Sequence, residues 1–236
     1  MITLAVLQHT DAEYLGLLED HLEGRNIRFR YHRLHTPGGS LPAAPEDFAG
    51  LVVLGAGPRG FASGERLPGI AAEVRLIEAF LAAGRPVLGF GLGSVLLAAA
   101  AGGGGEAAPL RFEVGAARRV DAAALAGQLP AHYPYALYMR DRPLLPAASR
   151  VLAVDAARGN PLLFEVAATG FGFPAHPGFK RAMVEDLVME FAEAPEDAAA
   201  GLARMAGAQR GIAEALSAMM VGLVQVARLM PPAAPA

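Results

Sequence analysis

The stretch PVLGFGLGSVLLAAAAGG, Pro86 to Gly103, places Gly89-Phe90-Gly91-Leu92-Gly93 between a short apolar run and an apolar helical pattern. A strand, a sharp glycine-flanked turn and a helix form the elbow that holds a nucleophile at unusual backbone angles over a sheet. The neighbouring amides and the helix N-terminus then face a developing oxyanion. At the apex stands Gly91, which has no side chain to attack with. Glycine accepts the elbow's angles without steric cost, so the position has a structural reading as well as a lost chemical one. Ser94 lies nearly one helical turn further on, out of reach of the apex, and reads as a residue that caps or packs the first turn.

Other side chains are candidates in the same sense. His176, followed by Pro177 and Gly178, is a general base or ligand contact on one reading and a polar residue at a strand end on the other. Gly55, Gly57 and Pro58 follow an apolar run and can present backbone amides to an anion, with Arg59 adding charge; the same residues also read as a tight loop. The stretch AHYPYALYMRDRP holds three of the five tyrosines, Tyr138 among them, with His132, Arg140, Asp141 and Arg142. It reads as the lining of a pocket for an anionic or planar ligand, as an interface, or as a tyrosine-rich loop. His32 and His35 are three residues apart in a predicted strand, on opposite faces, which argues against a metal site built on the pair. Glu185, Asp186 and Glu190 mark the solvated side of a late helix.

The elements that must position these residues alternate. ITLAVLQ predicts a strand, Asp11 to Glu23 a helix with Leu15, Leu18 and Leu22 on one face, and IRFRYHRL and GLVVLGAG two further strands. A helix carrying Ile70, Val74, Ile77 and Leu81 leads to the elbow strand and the helix from Leu92. This order predicts a mostly parallel, doubly wound sheet. LRFEVGAARRV, RVLAVDA, PLLFEVAA and GFGFPAH then predict an antiparallel extension, followed by a helix from Gly178 to Ala192. After APEDAAAG, residues 198–230 carry Leu216, Met219, Met220, Leu223, Val226 and Leu229 at helical spacing. That stripe needs a partner, either its own domain or another chain.

Composition narrows the classes. The 236 residues are 53% hydrophobic and 18% charged, with no apolar run of the roughly 18 residues that a bilayer demands, so no membrane association is expected. The start MITLAVLQHTDAEY lacks the basic region, long apolar core and cleavage site of a signal peptide, which makes the cytoplasm the expected location. The absence of cysteine excludes disulfides, thiolate metal sites and a cysteine nucleophile. A net charge of −3 gives no reason to expect a nucleic-acid partner.

LVVLGAGPRG, then the segment from Leu67 through the elbow to Gly103, then AHPGFKRAMVEDLVMEF resemble the class I glutamine amidotransferase domain over about residues 2–192. In that family a strand-end Gly-Gly-Pro loop, a G-x-C-x-G elbow and a late His-Pro-Glu supply the oxyanion hole, the nucleophile and the base pair. The resemblance implies an α/β, flavodoxin-like three-layer fold with a mostly parallel central sheet and an antiparallel extension, and residues 193–236 form a C-terminal helical segment and tail. It also implies thiolate attack on the side-chain amide of glutamine, with ammonia passed to a synthase. Transferred residue by residue, the pattern breaks at the chemistry. Gly91 takes the place of the cysteine and Gly178 that of the glutamate, Val95 stands where a substrate-contacting glutamine is usual, and Tyr138 to Asp141 is similar to a Trp-His-x-Asp segment with its aromatic and histidine altered. The expectation is a catalytically degenerate protein acting as a non-hydrolytic subunit, regulator or ligand-binding module. An enzyme with different chemistry near His176, and an assembly partner acting through the C-terminal helix, are the alternatives. Expected partners are a small-molecule ligand, a synthase or other enzyme, or copies in a homo- or hetero-oligomer; no cofactor is implied.

Overall fold

Short apolar runs bounded by glycine, proline and asparagine become strands, and the 3.6-periodic stretches between them become helices. The computed structural model describes residues 2–229. In chain order the elements are β1 (Thr3–Gln8), α1 (Leu18–Glu23), β2 (Arg28–Arg33), β3 (Gly50–Val53), α2 (Ile70–Ala82), β4 (Val87–Phe90), α3 (Leu92–Ala100) and β5 (Gly104–Glu106). They continue with β6 (Arg111–Arg119), β7 (His132–Met139), β8 (Arg142–Leu144), β9 (Arg150–Asp155), β10 (Pro161–Val166), β11 (Gly170–Phe173), α4 (Arg181–Glu190) and α5 (Ala198–Val226).

One nine-stranded sheet runs β2-β1-β3-β4-β11-β10-β9-β6-β7, and β5 and β8 form a separate two-stranded ladder. The first five strands are parallel and the rest antiparallel. This is the expected flavodoxin-like α/β architecture, with its antiparallel extension and C-terminal helix. β3 and β4 are buried at every residue, as strands covered on both faces must be.

Four local expectations are corrected. Gly170–Phe173, placed in the extension by sequence, is the last parallel strand: it pairs in register with β4, Gly172 opposite Gly89 and Phe173 opposite Phe90, and only its other edge meets an antiparallel neighbour. The first helix starts at Leu18 and not near Asp11, because Gly16 adopts φ +64° and leaves residues 9–17 as an irregular segment over the ends of the parallel strands. His35 lies beyond the end of β2, in a turn, where its ring faces Asp11 and the Gln8 carbonyl; the argument from opposite strand faces therefore does not apply to it. The tyrosine-rich stretch is not a loop in its first part: it forms β7, the edge strand of the sheet, with His132 exposed at its start.

α5 lies on the antiparallel half. Leu216, Met219, Met220 and Leu223 are each at most 4% exposed against the chain's own core, so the apolar stripe read from sequence is covered internally. Leu229 is buried too, Val226 packs at the edge, and Met230 lies outside the described residues. No helix among the described residues is long and apolar enough to cross a membrane.

Candidate functional site

The elbow is present in full backbone detail. Gly91 has φ 53° and ψ −122°, the conformation a residue with a side chain enters only under strain. Its N–H donates to the Phe173 carbonyl at 2.9 Å, which ties the apex to the end of β11. A Cβ built on Gly91 would lie 3.4 Å from Gly55 Cα and 3.8 Å from Glu13 Oε1, ordinary contact distances. The apex therefore has room for a side chain but carries none. Ser94 is fully buried and donates its hydroxyl to the Gly91 carbonyl at 2.6 Å, so it serves the turn.

His176 sits beside the elbow with its ring 4.9 Å from that of Phe90 and stacked on Phe179 at 4.7 Å. Its Nδ1 accepts the Gly178 N–H at 3.0 Å and its Nε2–H donates to the Tyr14 carbonyl at 2.9 Å. These two bonds set a neutral tautomer with no free lone pair. Burial pushes its pKa down to about 4. A group so placed neither takes a proton from a nucleophile nor carries charge at neutral pH.

Gly178, at the position where the resembling family has glutamate, is closed to any side chain. Its carbonyl accepts the Leu17 N–H at 3.0 Å. A Cβ there would collide with Leu18 Cδ1 and lie 2.7 Å from the Leu15 carbonyl. The irregular segment before α1 thus packs backbone to backbone against the turn after His176.

The loop after β3 is held from the same segment. His9 Nδ1 bonds to the Gly55 carbonyl at 3.0 Å and Nε2 to Glu73 Oε2 at 2.9 Å, with both side chains out of solvent. With an acceptor facing each nitrogen, the site favours the protonated ring. Burial works against that charge, while the Glu73 carboxylate and the Gly55 carbonyl outweigh it and raise the pKa. Glu13, 1% exposed, accepts the Gly57 N–H at 2.6 Å, and burial lifts its carboxyl to about 7 against the pull of that bond and of His9. The amide expected to face an anion is therefore committed to an internal carboxyl. Arg59 turns away from the apex: it lies over the Phe191 ring at 5.3 Å and reaches Glu65 and the His9 carbonyl at 3.4 Å.

Arg140 and Asp141 hold this loop one step further out, with Tyr138 packed behind them. Arg140 Nε donates to the Pro58 carbonyl at 2.8 Å, and its terminal nitrogen pairs with Glu193. Asp141, fully buried at φ 64°, accepts the amides of Phe61 and Ala62 at 2.7 Å, those of Ser63 and Ala108 at longer range, and the Ser63 hydroxyl. Burial raises its carboxyl, and the Ser63 hydroxyl with the three nearest amides outweighs it and holds the pKa below the usual range. Tyr138 is buried beside Phe112, its hydroxyl without a partner, and burial with the nearby Glu13 and Glu193 carboxyls keeps it un-ionised. Among the described residues no group of three His, Cys, Asp or Glu is arranged to hold a metal.

Sequence reasoning thus picks out the apex, the loop after β3 and His176, which the fold brings together. It misses His9, Glu13 and Glu73, which hold the loop in place. The available signal was Gly16, whose break of the first helix leaves His9 and Glu13 in an irregular segment after β1.

No family model matches the sequence, and no curated protein matches it. Solved structures do. A glutamine amidotransferase from Thermotoga maritima superposes with a TM-score of 0.80 at 19% identity, over 96% of this chain and 98% of that one. A glutamine amidotransferase from Methylobacillus flagellatus gives 0.74 at 21% identity over 94% and 96%. A protein assigned as one of the subunits of GMP synthase, from Thermoplasma acidophilum, gives 0.54 at 14% over 89% and 98%. At these identities the likeness shows the fold: the chain is built as a glutamine amidotransferase-like α/β domain.

Proposed function

We propose that this chain is a non-hydrolytic amidotransferase-like protein that works as a subunit or binding module beside another enzyme. The observation that carries the reading is the backbone contact of Gly178 with Leu15–Leu18, which fills the space an orienting glutamate needs. Gly91 removes the nucleophile, and His176 spends both nitrogens on backbone groups. Covalent acyl transfer needs a nucleophile, a base and an orienter acting together, and none is in place. The likeness to a protein assigned as a synthase component is what supports a partner enzyme. Chemistry of another kind at His176 is disfavoured by the same two hydrogen bonds.

The test is ammonia release from glutamine by the purified chain, followed with and without the enzyme that co-purifies from its own cells. Release no faster than from buffer, together with a stoichiometric enzyme partner, is the expected result. Turnover at the rate of a working amidotransferase overturns the proposal.

A further inference from the structure

The antiparallel half of the sheet has α4 and α5 on one face, where Phe112 and Tyr138 point. On the other face Arg111 and Glu113 of β6 stand beside Leu137 and Met139 of β7, and the β5–β8 ladder arches over them. Between floor and roof lies a small, partly open cleft of about 180 Å³. None of Gly91, Glu13 and His176 lines it.

The charges of this cleft are unevenly spent. Asp155 accepts the Tyr135 hydroxyl and the amides of Ala157 and Arg158, and Glu113 pairs with Arg158 at 2.6 Å. In the roof, Glu106 and Arg142 are directly opposite one another in the antiparallel ladder, so their side chains leave the same face. Such a pair ordinarily meets. Here neither makes an ion pair among the described residues, and both border the cleft. Beneath them Arg111 gives one nitrogen to the Asp141 carbonyl at 2.9 Å and stands 3.5 Å from Glu113, while its Nε has no acceptor.

We propose that this cleft binds a small zwitterion with an apolar body, an amino acid of the leucine or phenylalanine kind. Its carboxylate lies on the Arg142 guanidinium with Arg111 behind, its ammonium on Glu106, and its side chain on Leu137 and Met139. The geometry rests on one cation and one anion without ion-pair partners among the described residues, held a ladder's width apart above Leu137 and Met139. A ligand carrying a single charge satisfies one and leaves the other facing it unpaired. The roof also touches the elbow helix: a Cβ on Gly105 would lie 2.7 Å from Val95 Cγ1 and from Phe61 Cδ1. Filling the cleft therefore stiffens a ladder seated on α3.

The experiment is titration calorimetry on the full chain with leucine, phenylalanine, N-acetyl-leucine, leucinamide and glutamine. Saturable binding of leucine or phenylalanine is expected, at least about tenfold weaker for the two analogues that each lack one charge. Arg142→Ala and Glu106→Gln alter exposed side chains, so both variants fold, and each should abolish the heat. No saturable heat up to about 10 mM, or binding unchanged in both variants, overturns the proposal. Glutamine bound as tightly as leucine overturns the apolar specificity.

Discussion

The Gly178 carbonyl accepts the Leu17 N–H at 3.0 Å, and a side chain at Gly178 would lie in the space taken by Leu18 and the Leu15 carbonyl. The position is therefore set by a backbone contact, and its glycine is a packing requirement. Gly178→Glu should cost about 3 kcal/mol or more, since it combines overpacking with a buried charge. Urea unfolding of the variant checks this. A stability within about 0.5 kcal/mol of the parent chain would show that residues 15–18 yield easily.

The apex behaves differently. Gly91→Cys meets only ordinary contacts, so its cost is backbone strain of about 1–3 kcal/mol, and the variant should fold without releasing ammonia from glutamine. The built Cβ is 3.8 Å from Glu13 Oε1, so an ionised Glu13 repels a thiolate there. The pH dependence of iodoacetamide alkylation should place the new thiol above the ordinary value of about 8.5, and adding Glu13→Gln should lower it. A thiol that titrates below about 7 with Glu13 intact would contradict this electrostatic reading.

The contrast between these two glycines shows what a sequence carries and what it does not. β4, the apex and α3 are legible because periodicity and glycine spacing are local properties, and the parallel half of the sheet follows from alternating β and α segments. GFGFPAH reads as part of the wrong half of the sheet because its four strand residues carry no mark of direction; pairing with β4 is a tertiary fact. Glu13 is hidden for a related reason. It falls inside a stretch predicted as helix, and the left-handed Gly16 with the contact at Gly178 breaks that helix and turns Glu13 inward to the Gly57 amide. His176 is visible as a residue, whereas its tautomer depends on two backbone groups that sequence does not place.

Glu13 should leave a mark on stability against pH. Its folded pKa of about 7 lies above the unfolded value near 4.5, so between these limits the folded chain holds more protons. Stability from this group is full below about pH 4.5 and falls as pH rises to about 7, by roughly 3 kcal/mol in all. His176 runs the other way: its folded pKa of about 4 makes stability rise between pH 4 and 6.5. The two partly cancel in the parent chain, so the informative quantity is a difference. Relative to Glu13→Gln, which keeps an acceptor for Gly57, the parent should lose stability from about pH 4.5 to 7 in chemical denaturation. A flat difference over that range would mean that Glu13 ionises as an ordinary carboxylate.

Asp141 offers the opposite sign at another part of the loop. Its carboxylate gathers the amides of Phe61, Ala62, Ser63 and Ala108 with the Ser63 hydroxyl, holding the chain after Pro58 to the end of β7. Asp141→Ala strands several buried donors and should cost about 3 kcal/mol or more, because charge-assisted bonds contribute about 1.5–3 kcal/mol each and do not add fully. With its folded pKa held below the ordinary range, the contribution is complete above the unfolded pKa and is lost as pH falls through the folded one. Hydrogen exchange should report the same event locally. The amides of Phe61, Ala62 and Ala108 should lose protection in Asp141→Ala while those of β1 and β3 keep theirs, provided the variant stays folded. Equal loss of protection in all of these segments would mean that Asp141 supports the whole sheet and not the loop beside the elbow.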